Sequence, residues 1–545
     1  MFDQLGGLWL APVLAAPLFL LPVGLLPTAW ANARPVLMAR LNQAAAWLAL
    51  TATFVAVVML GGKPPSSWVL WSTPLPGGIG DLSLSVFVNG VTLIMLLLVS
   101  FVGVVVSRYA SNYLAGERNQ GRFHKWLSLT LVAILTLIVS GNLLMFAVAW
   151  IATSLFLHQL LMFYRERPAA VLAAHKKFVA SRIGDISLLG AVFLIGSTLH
   201  TLEFGELFAR MASMEGPLPA TLHWAAILVV VSAALKSAQF PFHGWLIQVM
   251  EAPTPVSALL HAGIVNAGAF LVIRMSPVVS QSTTALVLLA IIGLVTLALA
   301  SLVMLTQTSV KVSLAWSTTA QMGFMLLEVG LGLYSLAMLH LVAHSLYKAH
   351  AFLASGSAVD TFRAPVVAGR PFDVSMGRVI TALGIACVVS LTVAAAFGIS
   401  VQDQPALIAA AFVVTIAIGQ LLLQAASYLG SSDFLLRALG ISVTVAIAYF
   451  ALHGAFEHAL ADSVLPVVDP AGPLQILLAA LVVAIFIALL FLQGAVSQRR
   501  SPLSDNWYMH LYNGLYIDVY MTLWLQRLWP VPVSRNPANV WLRGV

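Results

Sequence analysis

Cysteine is almost absent from this chain of 545 residues, and the single one, Cys387, excludes a disulfide framework or a cysteine-held metal cluster. Charge is scarce as well: Asp, Glu, Lys and Arg make up 8% of residues, against roughly 25% in an ordinary soluble domain, which excludes a soluble globular fold. No glycine-rich phosphate loop, nucleophile elbow or His/Cys/Asp quartet at zinc spacing occurs. The chain therefore reads as a non-enzyme with no cofactor and no metal site of its own. The net charge of +7 is scattered over short segments with no contiguous basic stripe, so it does not indicate nucleic-acid binding.

What is present is hydrophobic sequence, 60% of the chain. Apolar runs of roughly 18 residues or more recur, each long enough to cross about 30 Å of hydrocarbon. About fifteen spans are expected, near 8–28, 43–61, 84–106, 126–140, 143–163, 178–198, 222–240, 254–275, 284–306, 312–331, 335–357, 379–399, 405–427, 436–453 and 474–492. The predicted fold class is all-α and polytopic. Asp3 but no Lys or Arg precedes the first run, so it is expected to stay as an anchor with its N-terminus outside.

Basic residues concentrate in cytoplasmic loops, and this orientation puts Arg34, Arg40, Arg108, Arg118, Arg122, Lys125, Arg165, Arg167, Lys176, Lys177, Arg363, Arg370, Arg378, Arg499 and Arg500 on one side. Lys63, Arg210 and Arg274 fall opposite, among outer-loop acids such as Glu203, Glu206, Glu215, Glu457, Asp462 and Asp469. The expected location is a bacterial inner membrane, with lipid as the surrounding partner.

Ionisable residues inside spans are costly and point to function. Lys236 lies inside an apolar stretch, 223–239, that Phe240-Pro241 breaks, and freed backbone at membrane depth is tolerated where protein or a water-filled cavity receives it. His340, His344 and Lys348 are spaced four apart, so on a helix they form one stripe with neighbours about 6 Å apart. A protonatable relay, a packing motif with satisfied imidazoles, and a metal site lacking a further ligand are the readings of that stripe. His261 follows Pro253 and Pro255, which mark a span's start, and small residues around it also suit close helix packing. Asp185 either pairs with Arg182 three residues earlier or reaches toward Lys236 to tune it. Lys311 reads as a snorkelling boundary lysine, and the aromatic stretch from Trp507 to Trp529 as an interfacial or partner-packed helix that leaves Arg535 and Arg543 inside.

The segments Lys236-Ser237-Ala238-Gln239, Ala252-Pro253-Thr254-Pro255-Val256-Ser257-Ala258-Leu259-Leu260-His261-Ala262, His344-Ser345-Leu346-Tyr347-Lys348-Ala349 and Arg182-Ile183-Gly184-Asp185 closely resemble the proton-translocating antiporter-like subunits of respiratory complex I, in the subunit 5 or L branch. The resemblance implies two inverted five-helix repeats with broken helices. It divides the chain into N-terminal helices (1–125), a first repeat (126–275), a second (284–427) and a C-terminal part (428–545). It also implies that Lys236 is the central channel lysine, His261 the next relay position, and His340, His344 and Lys348 the link to the second half-channel.

Three positions depart from that pattern. Trp150-Ile151-Ala152 lacks the glutamate that follows the tryptophan, the span from Ile380 to Phe397 has no lysine, and Val88-Asn89-Gly90 replaces an aspartate. With about 45 residues after Arg500, the chain resembles the short members that serve the DAB inorganic carbon uptake complexes of bacteria. That resemblance implies a large zinc-containing DabA-like partner, with proton, or else sodium, movement through this chain driving CO2 hydration in the partner. A pump or antiporter subunit of a complex-I-like or hydrogenase complex, and a scaffold with a degenerate channel, are the alternatives.

Overall fold

The computed structural model describes residues 8–357, 376–398, 405–427, 432–467, 472–498 and 502–530. Asp3, Arg363, Arg370, Asp469, Arg499, Arg500, Arg535 and Arg543 lie outside them, as does the side chain of Arg378. Each expected span contains a helix. The first three helices are α1 (Ala11–Leu25), α2 (Thr28–Ala33) and α3 (Pro35–Leu60), followed by strands β1 (Ser66–Pro74) and β2 (Asp81–Val88). Then come α4 (Gly90–Tyr113), α5 (Gln120–Val139), α6 (Leu143–Leu161), α7 (Pro168–Leu199), α8 (Phe204–Ala212) and α9 (Ala220–Lys236).

Short pieces follow: α10 (Gly244–Gln248), α11 (Thr254–Ala262), α12 (Ala267–Arg274) and α13 (Ser276–Val279). The remainder is α14 (Thr283–Met304), α15 (Val310–Gly330), α16 (Tyr334–Leu353), α17 (Met376–Ala396), α18 (Pro405–Ser427), α19 (Ser432–Leu460), α20 (Pro473–Gln498), α21 (Pro502–Tyr512) and α22 (Ile517–Leu528). Among the described residues, eleven helices are long and apolar enough to cross a membrane. Large apolar side chains such as Val58, Ile186, Phe193 and Trp224 face outward, as a lipid-facing surface requires.

Three expectations are corrected. The span drawn from residue 84 begins on a strand: β1 and β2 pair antiparallel, from Ser66 with Val88 to Pro74 with Asp81. Only at Asn89 does a helix start, because the Asn89 side chain accepts from the Thr92 N–H at 3.0 Å and caps α4. Glu203 lies, as expected, in the connection after the sixth span, between α7 and α8, and is tied down there. It accepts hydrogen bonds from Ser83, from Ser85 at 2.8 Å and from Asn142 at 2.9 Å, which ties the hairpin to the start of α6.

Lys176 and Lys177 are also not loop residues: α7 starts at Pro168, where the missing N–H of proline is tolerated, and both lysines are buried in the helix. Arg274 belongs to no loop either. It ends α12 in the protein interior, 1% exposed.

Helices α14 and α15 pack backbone to backbone at Gly293 and Gly323. A Cβ on Gly323 would lie 2.6 Å from the Gly293 carbonyl oxygen, and one on Gly293 2.5 Å from that of Gly323. Small residues at a crossing let backbones touch, and dispersion across that contact holds helices together in lipid. Gly323→Val is therefore expected to force the pair apart and lower the unfolding midpoint in detergent by several degrees, read by a thermal-shift assay.

Candidate functional site

Lys236 is the last residue of α9, where the C-terminal end of the helix dipole favours a cation. The chain then leaves the helix: Ala238 has φ +50°, the Phe240-Pro241 bond is cis, and helix resumes at Gly244. The amine is buried. It donates to the Trp150 carbonyl at 3.4 Å and sits 4.2 Å from the centroid of the Trp150 ring, so the tryptophan expected to precede a glutamate supplies a cation–π face and a carbonyl instead.

Pro253 precedes α11 and Pro255 lies in its first turn, so these prolines mark a helix start. The break within this span falls later, where Gly263 and a 3-10 turn over Ile264–Asn266 separate α11 from α12. Both breaks meet. The Ser237 hydroxyl donates to the Val265 carbonyl at 2.9 Å, and the Asn266 amide donates to Ser345 Oγ on α16 at 2.7 Å. One polar seam thereby joins the end of α9 to α16.

His261 is fully buried and stacks on Phe352 with centroids 4.3 Å apart, while both ring nitrogens make no hydrogen bond to described residues. His344 is buried with both nitrogens equally unsatisfied, and its ring lies 6.2 Å from that of His340. Lys348, fully buried, donates to the Leu314 carbonyl on α15 at 3.1 Å. Unsatisfied polar groups at membrane depth are expensive, so rings that no protein group satisfies are suited to water and proton exchange.

Sequence reasoning missed the partners of His340. Its Nδ1 lies 2.9 Å from Glu328 Oε2 and its Nε2 2.7 Å from Gln321 Oε1, both on α15. The signal was available, since Glu328 is the only acid in its apolar run. Also missed is His243, fully buried in the broken segment, stacked on Phe240 at 3.8 Å and tilted against Trp316 at 5.0 Å. Among the described residues, no group of three His, Cys, Asp or Glu side chains is placed to hold a metal ion.

Asp185 and Arg182 take the local pairing, Arg182 Nη2 standing 2.5 Å from Asp185 Oδ2. Their helix still reaches the end of α9: a Cβ on Gly184 would lie 3.5 Å from Leu235 Cβ, which sets residues 184 and 185 beside Lys236. Lys311 points inward, donating to Thr254 Oγ1 at 3.0 Å at the head of α11. Beside Pro241 and Gly244, a cleft of about 380 Å³ opens between α7 and α22. There Asp518 accepts from Lys176 and from Gln248, each at 2.8 Å, and anchors the C-terminal aromatic helix against the first break.

Broken helices around buried amines, in an all-α polytopic bundle, define an antiporter-like membrane subunit. Residues 140–369 match the NADH:quinone oxidoreductase/Mrp antiporter transmembrane family, and residues 75–124 match the N-terminus of chain 5 of NADH-ubiquinone oxidoreductase (complex I). The chain is 46% identical over 487 residues to the probable inorganic carbon transporter subunit DabB2 of Halothiobacillus neapolitanus, covering 89% of this chain and 88% of that protein. It is 36% identical over 313 residues to NADH-quinone oxidoreductase subunit L of Escherichia coli, covering 57% of this chain and 51% of that one. In fold it is similar to the Mrp complex of Dietzia sp., with a TM-score of 0.55 and 22% identity over 95% of this chain and 58% of that chain. The chain belongs to the antiporter-like membrane subunit family of complex I and Mrp antiporters, in the branch that includes DabB2 and subunit L.

Proposed function

We propose that this chain is the proton-conducting, energy-coupling membrane subunit of a bacterial inorganic carbon uptake complex. A large zinc-containing, carbonic-anhydrase-like partner carries the carbon chemistry. The observation that supports conduction is the buried band Lys236, His261, His344 and Lys348, joined across two helix breaks by the Ser237–Val265 and Asn266–Ser345 hydrogen bonds. Amines and imidazoles exchange protons, whereas sodium sites need clustered oxygen ligands. His340, held by Glu328 and Gln321, continues the band toward the second repeat.

In this reading residues 126–275 and 284–427 are two inverted half-channels in the inner membrane, with the N-terminus outside. Asp185 and Arg182 tune Lys236 from α7. Similarity to DabB2 supports the carbon-uptake assignment.

The test is purification in mild detergent followed by mass spectrometry, and then reconstitution into vesicles under an imposed proton or sodium gradient. Co-elution with one large zinc protein and acid-driven flux insensitive to sodium are the expected results. Co-elution with several redox subunits instead would replace this reading with a redox-linked pump.

A further inference from the structure

Two buried amines, Lys176 and Lys177, take no part in the band described above. Lys177, 2% exposed on α7, donates to both the carbonyl and the hydroxyl oxygen of Ser154 on α6, each at 2.6 Å. Lys236 donates to the carbonyl of Trp150 on the same helix. Residues 150 and 154 are one turn apart on a shared face, about 6 Å along the axis, so the two amines are docked on successive turns of α6. The next position of that stripe is His158. Its ring lies 5.5 Å from Phe178, and its Nδ1 is buried with no hydrogen bond to described residues.

The stripe runs from Lys236 toward the end of α6 that meets the basic 162–167 connection. Its neighbour Lys176 faces the other way, into the cleft with Asp518. The charged and titratable groups that act on the two amines and on His158 are Asp185, Arg182 and His175 on α7, Arg165 beyond the end of α6, and each other. Asp185 and its Arg182 partner stand on α7 beside the end of α9.

We infer that Trp150, Ser154 and His158 of α6 line an inlet branch in which Lys177 is a second proton-carrying amine, relaying protons between His158 and Lys236. This rests on the conduction reading above. Two adjacent ammonium groups repel, so the pair favours one shared mobile proton over two fixed ones. In each step an N–H bond of the Lys177 ammonium breaks, its electron pair staying on that nitrogen. A new N–H bond forms on the neutral Lys236 amine, and His158 then returns a proton to Lys177. Ile151 follows Trp150 in this chain, and the second amine docks one turn further on, at Ser154.

The test compares Lys177→Arg, Lys177→His and Lys236→Ala, each as the intact detergent-purified complex reconstituted into vesicles, with elution profile and unfolding midpoint checked. Arginine keeps the charge and donors but does not release its proton, so Lys177→Arg is expected to slow acid-driven flux at least tenfold. Lys177→His is expected to keep a measurable fraction, with a flux–pH profile displaced from that of the unsubstituted complex. A Lys177→Arg complex at full rate, or both Lys177 variants slowed equally with no displaced profile, overturns the inlet. If Lys236→Ala is inactive in that same series, the conduction reading stands without it. Full flux in all three variants overturns both.

Discussion

Vesicles carrying the Lys236→Ala complex are expected to show no acid-driven proton flux above the protein-free leak, and cells carrying it no carbon uptake beyond diffusion. The reason is placement. The Lys236 amine stands where α9 ends, bonded to Trp150, and the following residues Ser237 and Gln239 are buried in the break that leads to the Val265 carbonyl. Alanine removes the amine that caps α9 against Trp150 and leaves a methyl group in its place at the junction of α6 and α9. Each pKa-matched proton-transfer group contributes typically 10²–10⁴-fold to rate, so the loss is far outside assay scatter. Assembly should survive, because the lysine side chain makes a single hydrogen bond of 3.4 Å and a ring contact. A complex that elutes normally and conducts at full rate would show that the channel does not run through this junction.

The second large effect concerns stability. Arg274 donates to Asn89 Oδ1 at 3.2 Å, Thr92 Oγ1 at 2.7 Å and the Ile138 carbonyl at 3.0 Å, joining the cap of α4 to α5 and α12. Phe87, Phe204 and Phe270 surround its guanidinium at 5.4–5.6 Å, and among the described residues no carboxylate pairs with it. Arg274→Met leaves three buried oxygens short of a donor and removes the cation from an aromatic cage. Hydrogen bonds to charged groups are worth about 1.5–3 kcal/mol each and cation–π contacts about 0.5–2, so a loss on the order of 3 kcal/mol or more is expected. A scan of the unfolding midpoint in detergent measures it. Asn89→Asp supplies the counter-charge that the cage lacks and should raise the midpoint; a fall would mean that carboxylate desolvation outweighs the ion pair.

Much of the candidate site was legible before any fold. Lys236 with Pro241, the 340–344–348 spacing and His261 behind two prolines stood out because hydrocarbon makes ionisable residues rare, so each one carries information. The 150–154–158 stripe on α6 was equally readable in spacing, yet Trp, Ser and His at helical period do not announce a lysine from another helix. Lys177 was hidden by position. Next to Lys176 and close to Arg165 and Arg167 it counts as loop charge, and only the start of α7 at Pro168 places it inside.

Composition and period by themselves determined that this is an all-α chain built of membrane spans with a few ionisable residues in them, because span length and apolarity are local properties of the sequence. The tertiary structure alone decided which charges meet. Glu328 reaches His340 from the preceding helix, Asp518 reaches Lys176 across 342 residues, and Arg274 turns inward to Asn89. Those pairings depend on which helix faces abut, and helix packing is set by side-chain shape across the interface, which no one-dimensional period encodes.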